Sequence, residues 1–352
     1  MTHEICAVLM YKSTNLQIYN REENTVRAIR MSTFGEADVL QFVDLPVPEP
    51  GPNEVRVRLH AAGVNPAETY IRAGTYAFFK PDLPYTPGFD GAGIVDKVGD
   101  GVSRLRPGDR VFVAALLAKR NTGTYAQMVV CDADAVHPLP ESISFRQGAA
   151  IGVPGLTAYR VLFHRARIQP GEIVFVHGAS GGVGLLVVQL ARAYGANVIG
   201  SAGSKEGMEL LRQIGANEVL NHSSPGYLDK IPALTDGHGA DVVIEMLANV
   251  NLEDDMKVLA RYGRTVIVGS RGSIEFTPRL AMMKEADVLG TALWNAPHSE
   301  YISSVYGIAA ALEAGILKPV IGQELPLEKA VQAHTDIIHQ KGARGKIILS
   351  IE

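Results

Sequence analysis

The stretch from Ile173 to Gly184 reads Ile-Val-Phe-Val-His-Gly-Ala-Ser-Gly-Gly-Val-Gly, and it decides the fold of this 352-residue chain. Its four leading apolar residues predict a strand that is buried on both faces. The glycine-rich turn leads into a helical pattern over 183–194, which ends at Gly195. This order is typical of a dinucleotide-binding site, because glycines let the backbone approach a pyrophosphate and the helix N-terminus supplies N–H donors.

The loop departs from the G-x-G-x-x-G pattern at its first glycine, where the chain has Ala179. A glycine-rich turn that binds no ligand is therefore the alternative interpretation. The loop follows a buried strand and opens an alternation of strands and helices, and this context favours the dinucleotide site.

Strands and helices alternate over residues 149–305. After the first strand, further strands are predicted at 197–200, 218–220, 241–244, 265–268 and 288–293, with a helix over 205–214. Such alternation predicts an α/β fold with a doubly wound, six-stranded parallel sheet, the Rossmann arrangement. A helix over 305–314 and a strand over 346–351 are predicted near the C-terminus.

The first half of the chain, residues 25–148, is rich in short strands. Residues 54–61 alternate between apolar and polar, which is the period of a half-buried strand, and residues 91–99 form a run bounded by glycines. Many short strands separated by Gly and Pro indicate a barrel-like or sandwich-like β domain. Residues 1–24 precede the first clear strand and are expected to form a poorly ordered N-terminal extension.

Composition excludes several classes of protein. The net charge is −4, so the basic excess of a dedicated nucleic-acid binder is missing. Two cysteines, Cys6 and Cys131, are too few for a disulfide framework or a metal cluster. No apolar run has membrane-spanning length, and residues 1–24 make a poor secretory or transit signal. A cytoplasmic protein without membrane contacts is expected.

The end of the second strand of the alternation predicts which dinucleotide binds. NAD sites place a carboxylate there, on the ribose 2′-hydroxyl. This chain has Ala202 at that position, followed by Gly203, Ser204 and Lys205, and a carboxylate appears only at Glu206. Because Ser204 and Lys205 can donate hydrogen bonds and charge to a 2′-phosphate, NADPH is favoured. A merely solvated Lys205 is the alternative.

The carboxyl ends of the other strands supply further candidates, since open α/β sheets bind ligands at that edge. His222 follows the third strand and could cover the adenosine end of a dinucleotide. Arg271, after the fifth strand, could reach a phosphate. Both could also be ordinary surface residues.

Several longer motifs then become informative together. The sequence resembles the zeta-crystallin family, the zinc-free NADPH:quinone oxidoreductases of the medium-chain dehydrogenase/reductase superfamily. The resemblance extends from about Thr25 to the C-terminus, and the motifs that carry it lie at 63–66, 68–72, 83–88, 177–184, 245–251 and 268–272.

This resemblance implies a GroES-like β-barrel catalytic domain over 25–148 and a Rossmann NADPH-binding domain over 149–305. Residues 306–352 would return to the catalytic domain, and the chains would form homo-oligomers, tetramers or dimers. The implied NADPH contacts are Tyr70, Ser180, Gly181, Gly182, Val183, Gly203, Ser204, Lys205, His222, Asn251, Val268, Gly269, Ser270, Arg271, Thr291, Ala292 and Leu293. Tyr70 and Asn251 rest on the resemblance alone.

No metal site is expected. The first zinc ligand of the zinc-dependent relatives, a cysteine, falls at about Asn65, and their Gly-His-Glu ligand motif is matched by Gly88-Phe89-Asp90. The segment that would hold four structural cysteines is missing, and Cys131 alone cannot replace it.

Without a metal, the chemistry must come from the cofactor. A quinone suits such a site, because its reduced oxygen is phenolic, with a pKa of about 10, and needs no strong acid. Asn65 and Tyr70 are the expected hydrogen-bond donors in the cleft, although Asn65 could equally be a satisfied turn residue before Pro66.

Two alternatives remain open. One is NADPH-dependent reduction of α,β-unsaturated ketones by the same fold. The other is a structural, crystallin-like protein or a binder of AU-rich RNA that also binds NADPH. Arg160, His164, Arg165 and Arg167 form only a modest basic cluster, which is typical of a solvated helix face.

Overall fold

A computed structural model describes residues 24–340 and 342–352. The extension expected over residues 1–24 therefore lies outside the described residues, apart from Asn24. The Asn24 carbonyl accepts a hydrogen bond from the Val47 backbone N–H at 3.0 Å.

The described chain forms two sheets of six and seven strands and a two-stranded ribbon. The strands are β1 (Thr25–Arg30), β2 (Gln41–Pro46), β3 (Glu54–Val64), β4 (Asp90–Val98), β5 (Arg110–Ala114), β6 (Met128–Asp132), β7 (Val136–Pro138), β8 (Ile173–Val176), β9 (Asn197–Ala202), β10 (Glu218–Asn221), β11 (Ala240–Glu245), β12 (Leu259–Ile267), β13 (Asp287–Gly290), β14 (Ile321–Pro326) and β15 (Lys346–Ser350).

Helices pack against both faces of the six-stranded sheet and against both faces of the larger sheet. The α-helices are α1 (Pro66–Arg72), α2 (Phe145–Gly148), α3 (Gly152–Tyr159), α4 (Gly182–Ala193), α5 (Lys205–Gln213), α6 (Ile231–Leu234), α7 (Ala248–Val258), α8 (Pro278–Lys284), α9 (His298–Glu313) and α10 (Ala330–His339). A π-helix spans Arg160–Ala166, and short 3-10 turns occur at Ala37–Val39, Ala115–Leu117, Ala133–Ala135, Tyr227–Lys230, Leu293–Asn295 and Leu327–Lys329.

The six-stranded sheet is parallel throughout and has the order β10-β9-β8-β11-β12-β13. In chain order this is 3-2-1-4-5-6, the doubly wound arrangement predicted from the sequence. The central strand β8 is buried on both faces, because Val174 and Val176 belong to one hydrophobic cluster and Phe175 belongs to another. The predicted fold class is confirmed.

The seven-stranded sheet has the order β14-β15-β3-β4-β5-β7, and β6 also pairs with β3. In β3 the apolar residues Val55, Val57 and Leu59 alternate with polar ones, as predicted. The strand continues to Val64, three residues beyond the predicted end. Its last part is buried without alternation, because Ala61 packs in one hydrophobic cluster and Ala62 and Val64 pack in another on the opposite face, so the sequence pattern changes there.

The C-terminal segment returns to the first half of the chain. β15 lies between β14 and β3 and runs antiparallel to β3, with Ile347 opposite Val64. Helix α9 begins at His298, seven residues before the predicted start, so the expected boundary between residues 305 and 306 falls inside this helix. Its buried side chains, from Tyr301 to Leu312, pack on the Rossmann core. Within the described residues, no helix has the length and apolarity to cross a bilayer.

Candidate active site

The glycine loop forms the sharp turn between β8 and α4. Gly178 takes the left-handed conformation, with φ at +52°, so the tight turn comes one residue before Ala179. A side chain on Gly184 would put its Cβ 2.6 Å from the Ala179 Cα, so helix and loop pack in direct contact there. Because Gly178 provides the left-handed conformation of the turn, residue 179 need not be glycine. This explains how the loop can have Ala179 where the G-x-G-x-x-G pattern has its first glycine. Helix α4 then begins at Gly182, where the first turn leaves backbone N–H groups free for an anion.

The C-terminal segment holds this loop in place. The Gly345 N–H donates to the Ser180 carbonyl at 2.8 Å. Gly181 and Gly345 form an isolated parallel β-bridge. The Ser180 hydroxyl donates to the Ala343 carbonyl at 2.7 Å. Ser180 is buried, and its hydroxyl hydrogen is used internally. Its neighbours Gly181, Gly182 and Val183 are less enclosed.

Residues 203–205 form the start of α5. The Ser204 hydroxyl caps this helix by accepting from the Gly207 N–H at 3.1 Å. Lys205 is exposed, and its ammonium has no hydrogen bond or ion pair within the described part of the chain. A cation in the first helical turn opposes the helix dipole, so a bound anion would relieve this repulsion. The position suits a phosphate group.

His222 joins this surface to the glycine loop. Its Nδ1 lies 3.4 Å from the Ser201 hydroxyl, which accepts from the Gly178 N–H at 3.2 Å. Its Nε2 is so close to Gly203 that a Cβ there would come within 2.6 Å of it. The predicted contacts Gly203 and His222 are therefore direct neighbours.

Below the glycine loop lies a buried group that the sequence did not predict, formed by His177, Glu245 and Asp255. His177 Nε2 lies 2.7 Å from Asp255 Oδ1 and 3.1 Å from Glu245 Oε2. Tyr227 Oη lies 3.2 Å from His177 Nδ1. Burial lowers the pKa of His177, which favours the neutral ring. The neutral tautomer that matches both contacts donates from Nε2 to Asp255 and accepts from Tyr227 at Nδ1.

Burial raises the pKa of both Glu245 and Asp255 to about 7, from 4.5 and 3.8. Two carboxylates this close to one neutral imidazole are most stable when they share a proton. Glu245 Oε1 accepts from the Asn251 amide at 3.1 Å and from the Leu247 N–H. The buried group therefore supports Asn251, one of the predicted cofactor contacts.

The loop after β12 also depends on Glu245. The Val268 N–H donates to the Glu245 carbonyl at 2.8 Å, and the Arg271 N–H donates to the Asn249 side chain at 2.7 Å. The Ser270 hydroxyl donates to the Gly272 carbonyl at 3.1 Å. The Arg271 side chain is exposed and has no ion pair within residues 24–340 and 342–352.

Residues 291–293, at the end of β13, are held by Arg160. This buried guanidinium donates to the Thr291 hydroxyl at 2.7 Å and to the Ala292 carbonyl at 3.4 Å, and it pairs with Glu300 at 2.8 Å. Arg160 was expected to form part of a solvated basic face. The structure instead gives it a positioning contact with predicted cofactor residues.

On the other side of the cleft, Asn65 caps α1 within a buried polar network. Its amide donates to Asp90 Oδ2 at 2.8 Å and to Glu68 Oε1 at 3.1 Å. Its carbonyl oxygen accepts from the Lys346 ammonium, which also lies 3.3 Å from Asp90. Both amide hydrogens of Asn65 are donated within this network, so neither of them is a free donor in this structure.

Glu68 is the second carboxylate of this network. It accepts from the Asn65 N–H at 2.8 Å and from the Tyr125 hydroxyl at 2.7 Å. Burial, reinforced by the charge of Asp90, raises the pKa of Glu68 to about 7. Tyr125 Oη lies 3.2 Å from His334 Nε2, so the network continues into α10.

Tyr70 lies on α1, one turn beyond Asn65. Its ring stacks on Tyr76 with 6.4 Å between centroids, and its hydroxyl makes no hydrogen bond within the described residues. Tyr70 therefore offers the free donor that Asn65 does not. A separate cavity of about 850 Å³, lined by residues such as Arg104 and Lys119, shares no residue with the predicted site.

Comparison with known proteins identifies this arrangement. The alcohol dehydrogenase GroES-like domain matches residues 51–141, and the zinc-binding dehydrogenase model matches residues 182–307. The quinone oxidoreductase of Rattus norvegicus is 51% identical over 328 residues, which cover 93% of this chain and 98% of that protein. The quinone oxidoreductase of Homo sapiens is 48% identical with the same coverage.

Solved structures agree. An NAD-dependent alcohol dehydrogenase has a TM-score of 0.83 and 33% identity, covering 93% of this chain and all of that one (100%). The Escherichia coli quinone oxidoreductase, solved in complex with NADPH, has a TM-score of 0.81 and 30% identity over 92% of this chain and 100% of that one. The chain is thus a medium-chain dehydrogenase/reductase. Within that superfamily it belongs to the quinone oxidoreductase family.

The zinc in one family model's description does not fit the residues present. Where the zinc-dependent relatives hold their ligands, Asn65 and Asp90 face the Lys346 ammonium, and Phe89 is apolar and buried. A fixed ammonium repels a metal cation. The one group of three close potential ligands in the described chain is His177, Glu245 and Asp255, whose atoms already contact one another.

Replacing Lys346 tests the buried network. Lys346→Met leaves Asp90 buried without its cation, so the free energy of unfolding should fall by about 3–5 kcal/mol in urea titrations. Lys97→Met is the matched control, because its pair with Glu49 is exposed, and it should change stability little. Equal effects of the two substitutions would contradict the role of Lys346, and adding Asp90→Asn to Lys346→Met should recover part of the loss.

Asp255 should make stability depend on pH. The folded state keeps the shared proton up to a pH of about 7, whereas the unfolded chain releases it near 4, so the contribution of this proton to stability should be lost as pH rises through this window. Asp255→Asn cannot lose a proton, so the stability of the variant relative to wild type should rise with pH, by up to about 1.4 kcal/mol per pH unit. Thermal unfolding across this range measures it. Glu209→Gln, on the exposed face of α5, removes a carboxylate distant from this group and should keep the wild-type slope.

Proposed function

We propose that this chain reduces quinones with NADPH in the cleft between its two sheets, without zinc. The observation that carries the proposal is one juxtaposition. The glycine loop lies beside strand β9, which ends without a carboxylate, and Gly345 and Lys346 connect this loop to the N-cap of the helix that presents the unpartnered Tyr70 hydroxyl. The relatives named quinone oxidoreductase, about half identical over nearly the whole chain, support the choice of acceptor.

The chain's own residues divide the binding of NADPH among them. We assign the pyrophosphate to Ser180–Val183, the 2′-phosphate to residues 203–205 and the adenosine to His222. The nicotinamide half is assigned to Tyr70, Asn251, Val268–Arg271 and Thr291–Leu293. The free backbone N–H groups at the start of α4 and the unpaired Lys205 ammonium support the assignment of NADPH to this surface. Hydrogen bonds within the protein hold several of these residues, among them Ser180, Asn251 and Thr291, in place before any ligand binds.

When bound, the nicotinamide supplies the reducing equivalents. Tyr70 then donates a hydrogen bond to an acceptor oxygen as negative charge develops there. A phenolic oxygen has a pKa of about 10, so a hydrogen bond and correct positioning suffice. We propose that Asn65 acts on the reaction by capping α1, which fixes the direction of Tyr70.

Lys205→Ala tests the choice of cofactor. The substitution should weaken NADPH binding by about tenfold or more, because a charge-assisted contact with the 2′-phosphate is lost. NADH affinity, measured in the same titration, should remain unchanged. Lys230→Ala, at another exposed lysine of the same domain, serves as the control. Equal wild-type affinity for NADPH and NADH would refute the assignment.

A panel of acceptors tests the reaction. Quinones should support NADPH oxidation faster than α,β-unsaturated ketones, and Tyr70→Phe should lower kcat by about tenfold or more while NADPH affinity changes little. Turnover of enones alone would replace the quinone proposal with the enone reductase alternative. Tight, salt-sensitive binding of AU-rich RNA without NADPH binding would favour the nucleic-acid alternative. The buried, ion-paired Arg160 argues against a free basic face.

We further propose a cytoplasmic homo-oligomer. β13 is the edge strand of the Rossmann sheet, and Val288 within it is 41% exposed. Met282 and Met283 on the adjacent α8 are 74% and 69% exposed. An exposed edge strand beside apolar side chains is a natural place for a second copy to add its own strand. A dimer through this edge, or a tetramer built from it, fits these observations.

A further inference from the structure

The indole of Trp294 connects the two halves of the molecule. Trp294 is the only tryptophan in the chain, and its backbone follows β13 in the Rossmann half. Its ring stacks on Phe79 with centroids 5.1 Å apart and planes at 14°, and it meets the edge of Phe89 at 5.8 Å. Both partners belong to the segment between α1 and the start of β4.

The indole is fixed in direction as well as in position. Its only N–H donates to the Tyr76 hydroxyl at 3.2 Å. The backbone before it is anchored, because Arg160 holds Thr291 and Ala292, and a 3-10 turn covers Leu293–Asn295. Three ring contacts and one hydrogen bond leave the side chain little rotational freedom. Trp294 nevertheless keeps exposed surface.

Trp294 stands beside the proposed reaction site. It directly follows the residues assigned to the nicotinamide half, Thr291–Leu293. Tyr76 lies 6.4 Å from the Tyr70 ring and 6.4 Å from the Trp294 ring, so one tyrosine links the proposed donor to the indole. An acceptor whose oxygen reaches Tyr70 therefore lies near this aromatic group, and its distance from the indole depends on the size of its ring system.

We propose that Trp294 is a specificity-determining residue that selects fused-ring quinones over single-ring quinones by stacking. The inference rests on the proposed quinone reduction and adds the class of acceptor. A second fused ring extends the flat surface of the acceptor beyond Tyr70 toward the indole, whereas a single ring can react without this contact. Each aromatic stacking contact changes affinity by about 2- to 12-fold, which sets the size of the expected preference.

Three variants test this selection through the ratio of kcat/KM for naphthoquinone to kcat/KM for benzoquinone. Trp294→Ala should lower this ratio by about 2- to 12-fold, mainly through KM for naphthoquinone, with unchanged NADPH affinity. Trp294→Phe keeps one ring and should give an intermediate ratio. Tyr306→Ala removes a 71% exposed aromatic ring on α9 and should keep the wild-type ratio. An unchanged ratio in Trp294→Ala would overturn the inference.

The wild-type protein provides a second measurement that needs no substitution. Because Trp294 is the only tryptophan, its fluorescence reports on this site alone. Naphthoquinone should quench the emission saturably, at concentrations close to its KM, while benzoquinone should quench only by collision. Saturated turnover of naphthoquinone with no saturable quenching would overturn the inference and leave quinone reduction intact. The absence of turnover with every quinone, despite NADPH binding, would instead refute the proposed function.

Discussion

The rest of the structure depends on the contacts that the buried ammonium of Lys346 makes with Asn65 and Asp90. The ammonium neutralises Asp90 inside the protein, where an unpaired charge would cost several kcal/mol. Its partner Asn65 caps the helix that carries Tyr70. Gly345, the residue before Lys346, forms a β-bridge with Gly181 of the glycine loop. One residue of the returning strand β15 thus sits between the glycine loop and helix α1.

Asp90 extends the same constraint into the second domain. Its other oxygen accepts from the Val153 N–H at 2.7 Å, at the start of α3. β3 and the segment after α2 pack very closely, since a Cβ on Gly63 would lie 2.2 Å from the Ala149 carbonyl oxygen. Any shift of β15 would therefore disturb the cap of α1, the glycine loop and α3 together. The cleft between the two sheets is fixed by polar contacts rather than by hydrophobic packing alone.

The sequence predicted what depends on local signals. β8, the glycine loop and α4 are contiguous in the chain, so the apolar run and the glycines predicted them directly. The order of the six-stranded sheet followed from the repeated alternation of strands and helices. Neither buried network has such a signal. Lys346 and Asn65 are 281 residues apart, and His177 meets Asp255 only because α7, whose pattern was not recognised, packs under the loop. Trp294 was missed because its ring partners lie more than 200 residues earlier in the chain. The roles of Asn65, Tyr70 and the cofactor residues stay predictions.

The network at Lys346 also explains which chemistry suits this cleft. A metal ion at this place would polarise an acceptor oxygen strongly and could support the formation of an alkoxide. The ammonium has the same sign of charge, but it is buried, and two of its three hydrogens are donated to Asn65 and Asp90. It therefore stabilises the protein and, having no vacant coordination position, cannot act on an acceptor oxygen as a metal ion would. In the site that we propose, the acceptor has a hydrogen bond from Tyr70 and a fixed aromatic surface. Such a site is sufficient for a substrate whose reduced oxygen is only weakly basic, and a quinone meets that condition better than a simple ketone does.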